Sequence, residues 1–436
     1  MSWRLDLASR YPRDSHLLPA IETSLPQSDP LLPLETEPLA IQELWKQVRT
    51  DLAMSASSGK RSKLPVGRSV ASRQISEQEG SAVSSAEYSQ SGTVQTSVSR
   101  NPAKPSPGHR DFRTDILLPR GIAIISAEEV SVWEHFGTQE LDPEVNRAAH
   151  YNELLHAQSR VWIPTEASLS EEIALEYRCM TEAHECEAEF ASYAKETILR
   201  RDPRTLLHSY GANRRWVVAR KLELVAKPDE SLRWYKPPVI TPSTRAELYE
   251  FDLRPDCAYW LSVQAFNSKY TSYIKHKVYV VNSRITCPYF FVEFKKDGEQ
   301  PEEVQNQVAA VSAMALFNRY NLRVASQQKS KQPMKELEMD DLRVYGLTLV
   351  GACFKVWCVK PRLNRLSKQW EGCEMVTVGF GECTNDLDVL LLIDWINEIH
   401  CWGIGVHGKS CEKDLKKCLQ GTTAASRVSD IFSGTE

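Results

Sequence analysis

The chain has no surplus of positive charge: 53 Lys and Arg stand against 57 Asp and Glu, a formal net charge of −4 over 436 residues. Tight, sequence-indifferent binding to nucleic acid usually rests on a basic excess, so that mode is disfavoured, although a local patch suffices for an enzyme that handles phosphodiesters. A run of about eighteen apolar residues is also lacking, so no membrane span and no membrane partner are expected. The opening Met1-Ser-Trp-Arg-Leu-Asp-Leu does not have the basic-then-apolar order of a secretory leader. Eleven cysteines occur without a repeated spacing. They point to reduced, mostly buried thiols and, with the leader absent, to an intracellular protein, cytoplasmic or nuclear. Missing too are a Gly-rich phosphate loop and a Gly-x-Ser-x-Gly elbow, which removes the common nucleotide-binding and serine-hydrolase arrangements.

Aromatic residues are scarce in the first quarter of the chain. Between Trp45 and Phe112 the only one is Tyr88, amid Ser, Gly, Gln and Thr. Such a stretch buries too little apolar surface to offset its ordering entropy, so residues 1–110 are expected to be disordered, with a short helix around 39–52. The basic cluster Gly59-Lys-Arg-Ser-Lys63 reads as an ordinary linker patch, with a nuclear-import signal as the alternative. One domain is expected over 111–420, followed by a disordered tail at 421–436.

What is present begins at Phe112. Residues 112–125 read as a helical turn and a short strand, and 168–199 as a long helix opened by a Ser168/Glu171 capping box. Strand material follows at 216–224, and 245–253 is either strand or helix. Asp256 to Ser262 reads as a strand, 268–283 as an excursion carrying a strand at 277–281, and Pro288 to Lys295 as a central strand. A turn at 296–301 leads into a helix over 302–320 that is apolar nearly all round and therefore buried. A bent strand at 345–359, a strand at 375–380 and an amphipathic helix at 386–402 close the domain.

The central strand carries the strongest chemical signal. On a strand, residues two apart share a face, so Phe290, Val292 and Phe294 look one way and Glu293 and Lys295 the other. A carboxylate and an ammonium side by side on an apolar strand are costly unless they act. The plain alternative is an edge strand with solvated charges, but the apolar face and the buried helix that follows argue against it. Upstream, Arg254-Pro-Asp-Cys257 places Asp256 to supply a second carboxylate; its plain reading is a turn residue after proline. A second cluster, Cys401, His407, Cys411 and Cys418, has ligand types that suit zinc but the spacing of no zinc module. With His400 it reads as helix-end packing.

An Asp followed by Glu-x-Lys on the next core strand is the motif of the PD-(D/E)XK nuclease-like superfamily. From Phe112 to about His407 the chain resembles an uncharacterised fungal family of such proteins. The resemblance is carried by Phe112-Arg-Thr-Asp-Ile-Leu, Arg254-Pro-Asp256, Phe291-Val-Glu-Phe-Lys295, Gln305-Asn-Gln-Val-Ala-Ala310 and Trp395-Ile-Asn-Glu-Ile-His400. It implies an α+β/α/β fold with a restriction-endonuclease-like αβββαβ core, a mixed central sheet flanked by helices. It also implies Mg2+ or Mn2+ held by Asp256, Glu293 and the backbone carbonyl of Phe294, with Asp256, Glu293 and Lys295 as the catalytic set. Gln307 is implied as an accessory, although the tyrosine four residues on that some relatives carry is here Val311, and Ala309 follows Gln305. A first-helix glutamate is implied without a choice among Glu172, Glu187 and Glu189. The expected function is metal-dependent hydrolysis of nucleic-acid phosphodiesters. The alternative is an inactive nuclease-like fold that binds nucleic acid or protein, with the N-terminal arm engaging a protein partner.

Overall fold

A computed structural model of the chain describes residues 105–126, 130–137, 161–202, 218–222, 227–266, 271–298, 301–330, 339 and 341–419. The expectations for 39–52, for the Gly59–Lys63 patch, for the N-terminal arm and for the 421–436 tail lie outside them. In chain order the elements are β1 (Ile122–Ile125), α1 (Val132–Phe136), α2 (Ala167–Glu182), α3 (Glu187–Thr197), β2 (Val218–Leu222), α4 (Thr244–Leu248), β3 (Cys257–Ser262) and α5 (Thr271–Ile274). They continue with β4 (Val280–Val281), β5 (Ile285–Lys295), α6 (Pro301–Ser330), β6 (Val344–Val350), β7 (Cys353–Leu363), β8 (Trp370–Glu382), α7 (Asp386–Trp402) and α8 (Lys409–Leu419).

The strands form one open mixed sheet of eight, ordered β1-β8-β7-β6-β5-β3-β2, with β4 added beside β5. The pairs β5–β6 and β1–β8 are parallel and the others antiparallel. Because strand side chains alternate, each face builds its own apolar layer. One joins Tyr259, Val292 and Leu347 to α2, α3 and α7 through Tyr177, Phe190 and Trp395. The other joins Trp260, Phe291 and Trp357 to α6 through Val308, Val311 and Met314. The molecule is thus a mixed α/β protein whose eight-strand sheet is flanked by helices on both faces.

Helix α6 runs back along β5 and delivers the chain to the parallel strand β6, a β-α-β unit. It lies very close to the sheet: a Cβ on Gly346 would come within 2.3 Å of the Val308 side chain. The helix is apolar along Val308–Leu316 because that stretch is enclosed, as expected, but it continues to Ser330 rather than ending near Tyr320. Its second half is held by charge. Asp414 of α8 is paired at 2.7 Å with both Arg319 and Arg323, and Ser326 donates to its other oxygen at 2.8 Å.

Three other expectations needed correction. The long helix at 168–199 is two helices, broken where His184 takes a left-handed φ of 53° and Glu185 N–H returns to Met180 O. The Ser168/Glu171 box does not form, because the helix starts one residue earlier, behind Glu166. The bent strand at 345–359 is a tight hairpin of β6 and β7 turning at Gly351, whose φ of +54° suits glycine. Of the two readings of 245–253, the helical one holds in its first half, as the short helix α4, and coil follows. At the C-terminal end, Asp386–Leu419 is long and apolar enough to cross a membrane by length and composition. Its most apolar window is 72% buried within the molecule, as a core helix requires.

Candidate active site

Strand β5 ends at the glutamate and lysine that stood out in the sequence, and β6 runs parallel to it with Thr348 opposite Glu293 and Val350 opposite Lys295. The carboxyl ends of parallel strands are where α/β sheets present their ligand sites. Strand β3 runs antiparallel on the other side of β5, with Cys257 opposite Val292. Asp256, the residue just before β3, therefore arrives beside Glu293. Its side chain extends the ladder where β3 has not yet begun: Asp256 Oδ2 accepts the Phe294 N–H at 2.8 Å.

The two acids meet. Glu293 is only 4% exposed. Burial first, then the neighbouring charge of Asp256 and a side-chain hydrogen bond with it, push the Glu293 carboxyl well above its ordinary value. The Asp256 N–H and the positive charge of Lys295 pull the other way and lose. Setting the buried Glu293 beside the half-buried Asp256 in a poorly solvated place favours the protonated form of Glu293.

Lys295 lies on the same sheet face and is less enclosed, with 18% of its side chain exposed. Its Nζ stands 3.9 Å from Glu187 Oε2. Glu187 opens helix α3 and is thus the one of the three candidate glutamates paired with Lys295; Glu172 and Glu189 are exposed. The Phe294 ring points to the opposite face, where the Lys195 ammonium lies 5.3 Å from its centroid. Lys195 carried no distinguishing mark in the sequence. Its charge also acts on the buried Cys257 thiol next to Asp256, whose value burial has raised.

The start of α6 has two functions. Gln305 and Asn306 accept hydrogen bonds from Arg113 at 2.7 and 2.8 Å, joining two of the segments that carried the resemblance. Gln307 is the one left over: its Oε1 is buried with no hydrogen-bond partner. Because α6 runs back along β5 with Val308 over Gly346, its first turns lie at the level of Glu293 and Thr348.

The group Cys401, His407, Cys411 and Cys418 lies along a continuous helical run. His407 Nε2 is shared between Cys411 Sγ at 3.5 Å and the Cys287 carbonyl at 3.3 Å, and His400 Nδ1 bonds the Tyr289 hydroxyl at 2.9 Å. Among the described residues no set of three or more His, Cys, Asp or Glu is arranged around a metal position. The pair Asp256 and Glu293 matches a different donor set. Magnesium takes one or two carboxylates from a protein and completes its shell with water and phosphate oxygen, so two adjacent carboxyls fit. A bound cation would also offset the burial and the repulsion that raise Glu293.

The fold and site together define a mixed α/β protein with a buried glutamate and a lysine at the end of a parallel strand and a half-buried aspartate beside them. No family model matches the chain, and no curated protein matches it.

Proposed function

We propose that this protein is a PD-(D/E)XK nuclease-like protein with a restriction-endonuclease-like core, and that it hydrolyses nucleic-acid phosphodiesters with Mg2+ or Mn2+. The observation that carries this reading is the meeting of Asp256 and Glu293, distant in sequence, on the face that also presents Lys295. The order Asp, antiparallel Glu-x-Lys strand, enclosed helix, parallel strand supports it further.

Asp256 and Glu293 would hold the metal, which when bound supplies Lewis-acid polarisation of the phosphoryl oxygen and a more acidic water. Glu293 must give up its proton to take part. Lys295 offers its ammonium to the negative charge that grows on phosphate during attack, with Glu187 3.9 Å away as its counter-charge. Gln307, with an unused buried acceptor, is placed to orient a water. The acidic balance of the chain and the absent helix tyrosine favour the second reading, a binding module without turnover.

A cleavage assay on single- and double-stranded DNA and RNA with Mg2+ or Mn2+ separates the two. Wild type is expected to cut, and Lys295→Ala and Glu293→Ala each to lose about 100-fold or more. Cleavage indifferent to both substitutions would remove the site. A wild type that binds these substrates without cutting them would establish the binding module.

A further inference from the structure

A cavity of about 320 Å³ opens at the far end of β5 from the carboxylates, and the proposed hydrolysis makes no use of it. That volume falls in the range of small-molecule sites. The described residues lining it include Arg233, His276, Lys277 and Arg319, and none is an aspartate or glutamate. Arg319 is committed to Asp414 at 2.7 Å, which leaves Arg233 and Lys277 as the permanent positive charges.

The same cavity has an aromatic wall. Trp234 and Tyr279 stack with centroids 4.8 Å apart and planes at 26°; Trp234 is buried and Tyr279 only half so. The turn that supplies Arg233 and Trp234 is firmly built. Asp229 accepts from the Ser231 and Leu232 N–H groups at 2.9 and 3.3 Å, and its backbone bridges to Trp234. Arg233 itself takes a left-handed φ of 63°, a conformation unusual for a long side chain and one that surrounding structure must enforce.

We infer that this cavity is a second binding site, for a small planar aromatic anion of the mononucleotide class. The ring lies against Tyr279, and Arg233 and Lys277 meet the phosphate. A cationic ligand is repelled by both side chains, and a neutral ring leaves both uncompensated. Cys287 lies on the cavity lining and gives the site a reporter. A hydrogen bond from Cys411 holds its thiol below the ordinary value against desolvation, whereas the adjacent buried Cys411 thiol is raised.

The experiment uses the full chain, titrated by calorimetry with adenosine 5′-monophosphate and uridine 5′-monophosphate. In parallel, alkylation of Cys287 by iodoacetamide is followed peptide by peptide. At least one nucleotide is expected to bind with a Kd below about 1 mM and, at saturation, to slow Cys287 alkylation about fivefold or more. The exposed Cys179 and Cys186 should be unaffected. Lys277→Ala, at a partly exposed position that leaves the fold intact, should weaken binding about tenfold, and Lys277→Arg should retain it. Adenosine and inorganic phosphate should each bind at least about tenfold more weakly than the nucleotide. Glu293→Ala should bind as wild type does, so failure of the hydrolytic reading leaves this site standing. The inference is overturned if neither nucleotide binds at about 5 mM, if Lys277→Ala binds as tightly as wild type, if adenosine or phosphate alone matches the nucleotide, or if Glu293→Ala abolishes binding.

Discussion

Glu293 and Asp414 are both buried carboxyls, and their surroundings push them in opposite directions. Burial, and then the neighbouring Asp256, put the folded value of Glu293 above its ordinary 4.5. Proton binding then favours the folded state: the contribution is fully present below about pH 4.5 and is lost as pH rises through the raised folded value. Glu293→Gln should therefore stabilise the protein at neutral pH, by about 1 kcal/mol or more, a melting shift of about 2–4 °C. The gain should grow from pH 5 to pH 8. Magnesium should raise the wild-type Tm more at pH 8 than at pH 6, because metal and proton compete for the pair, and should do nothing for Glu293→Gln. Thermal unfolding across that pH range checks both statements; a Gln variant less stable than wild type at pH 8 would contradict them. The pairing of residues 293 and 295 was legible in the sequence from strand alternation alone. That the Asp256 carboxylate would accept the Phe294 N–H, and that Glu187 would be the helix glutamate to reach Lys295, was not. Both depend on contacts between segments far apart in the chain.

At the scale of elements, α6 and α8 are joined through a buried charge cluster. Burial alone would raise Asp414, but Arg319 and Arg323 outweigh it and hold the carboxyl below its usual range. Its contribution is therefore present above the ordinary value of 3.8 and lost as pH falls through the lowered one, the reverse of Glu293. Removing this acid takes the paired carboxylate from buried Arg319 and leaves Arg323 only Asp341, at 2.6 Å, so Asp414→Ala should cost about 3–5 kcal/mol in urea unfolding. A loss below about 1 kcal/mol would mean the cluster is solvated like a surface pair. Element boundaries were legible where composition marks them, as for α7, and misjudged where a single backbone angle decides. The hairpin at Gly351 read as one bent strand because both of its arms are equally apolar. The extension of α6 past Tyr320 was missed because Arg319, Arg323 and Ser326 look like a solvated face until Asp414 is brought to them.

For the whole molecule, all eleven cysteines are free, spread through both apolar layers and the surface. Unfolded in denaturant without prior reduction, the protein should present eleven reactive thiols, and a reductant should leave its Tm unchanged. A lower thiol count would reveal a disulfide. Residues that resembled a family signature also have structural roles here. Asn397 clamps the Ile163 N–H and carbonyl at 2.7 and 2.8 Å, and His400, held neutral by burial with its value down to about 3, bonds Tyr289. The sequence by itself determined that strands would alternate with enclosed and amphipathic helices and that one strand would carry an acid and an amine, because alternation and apolar periodicity are local properties. Only the tertiary structure decided that Asp256 meets Glu293, that Arg319 and Arg323 share Asp414, and that a basic aromatic cavity opens beside Cys287. Each of these is an encounter between distant segments, fixed by sheet order and helix placement rather than by any neighbour in the chain.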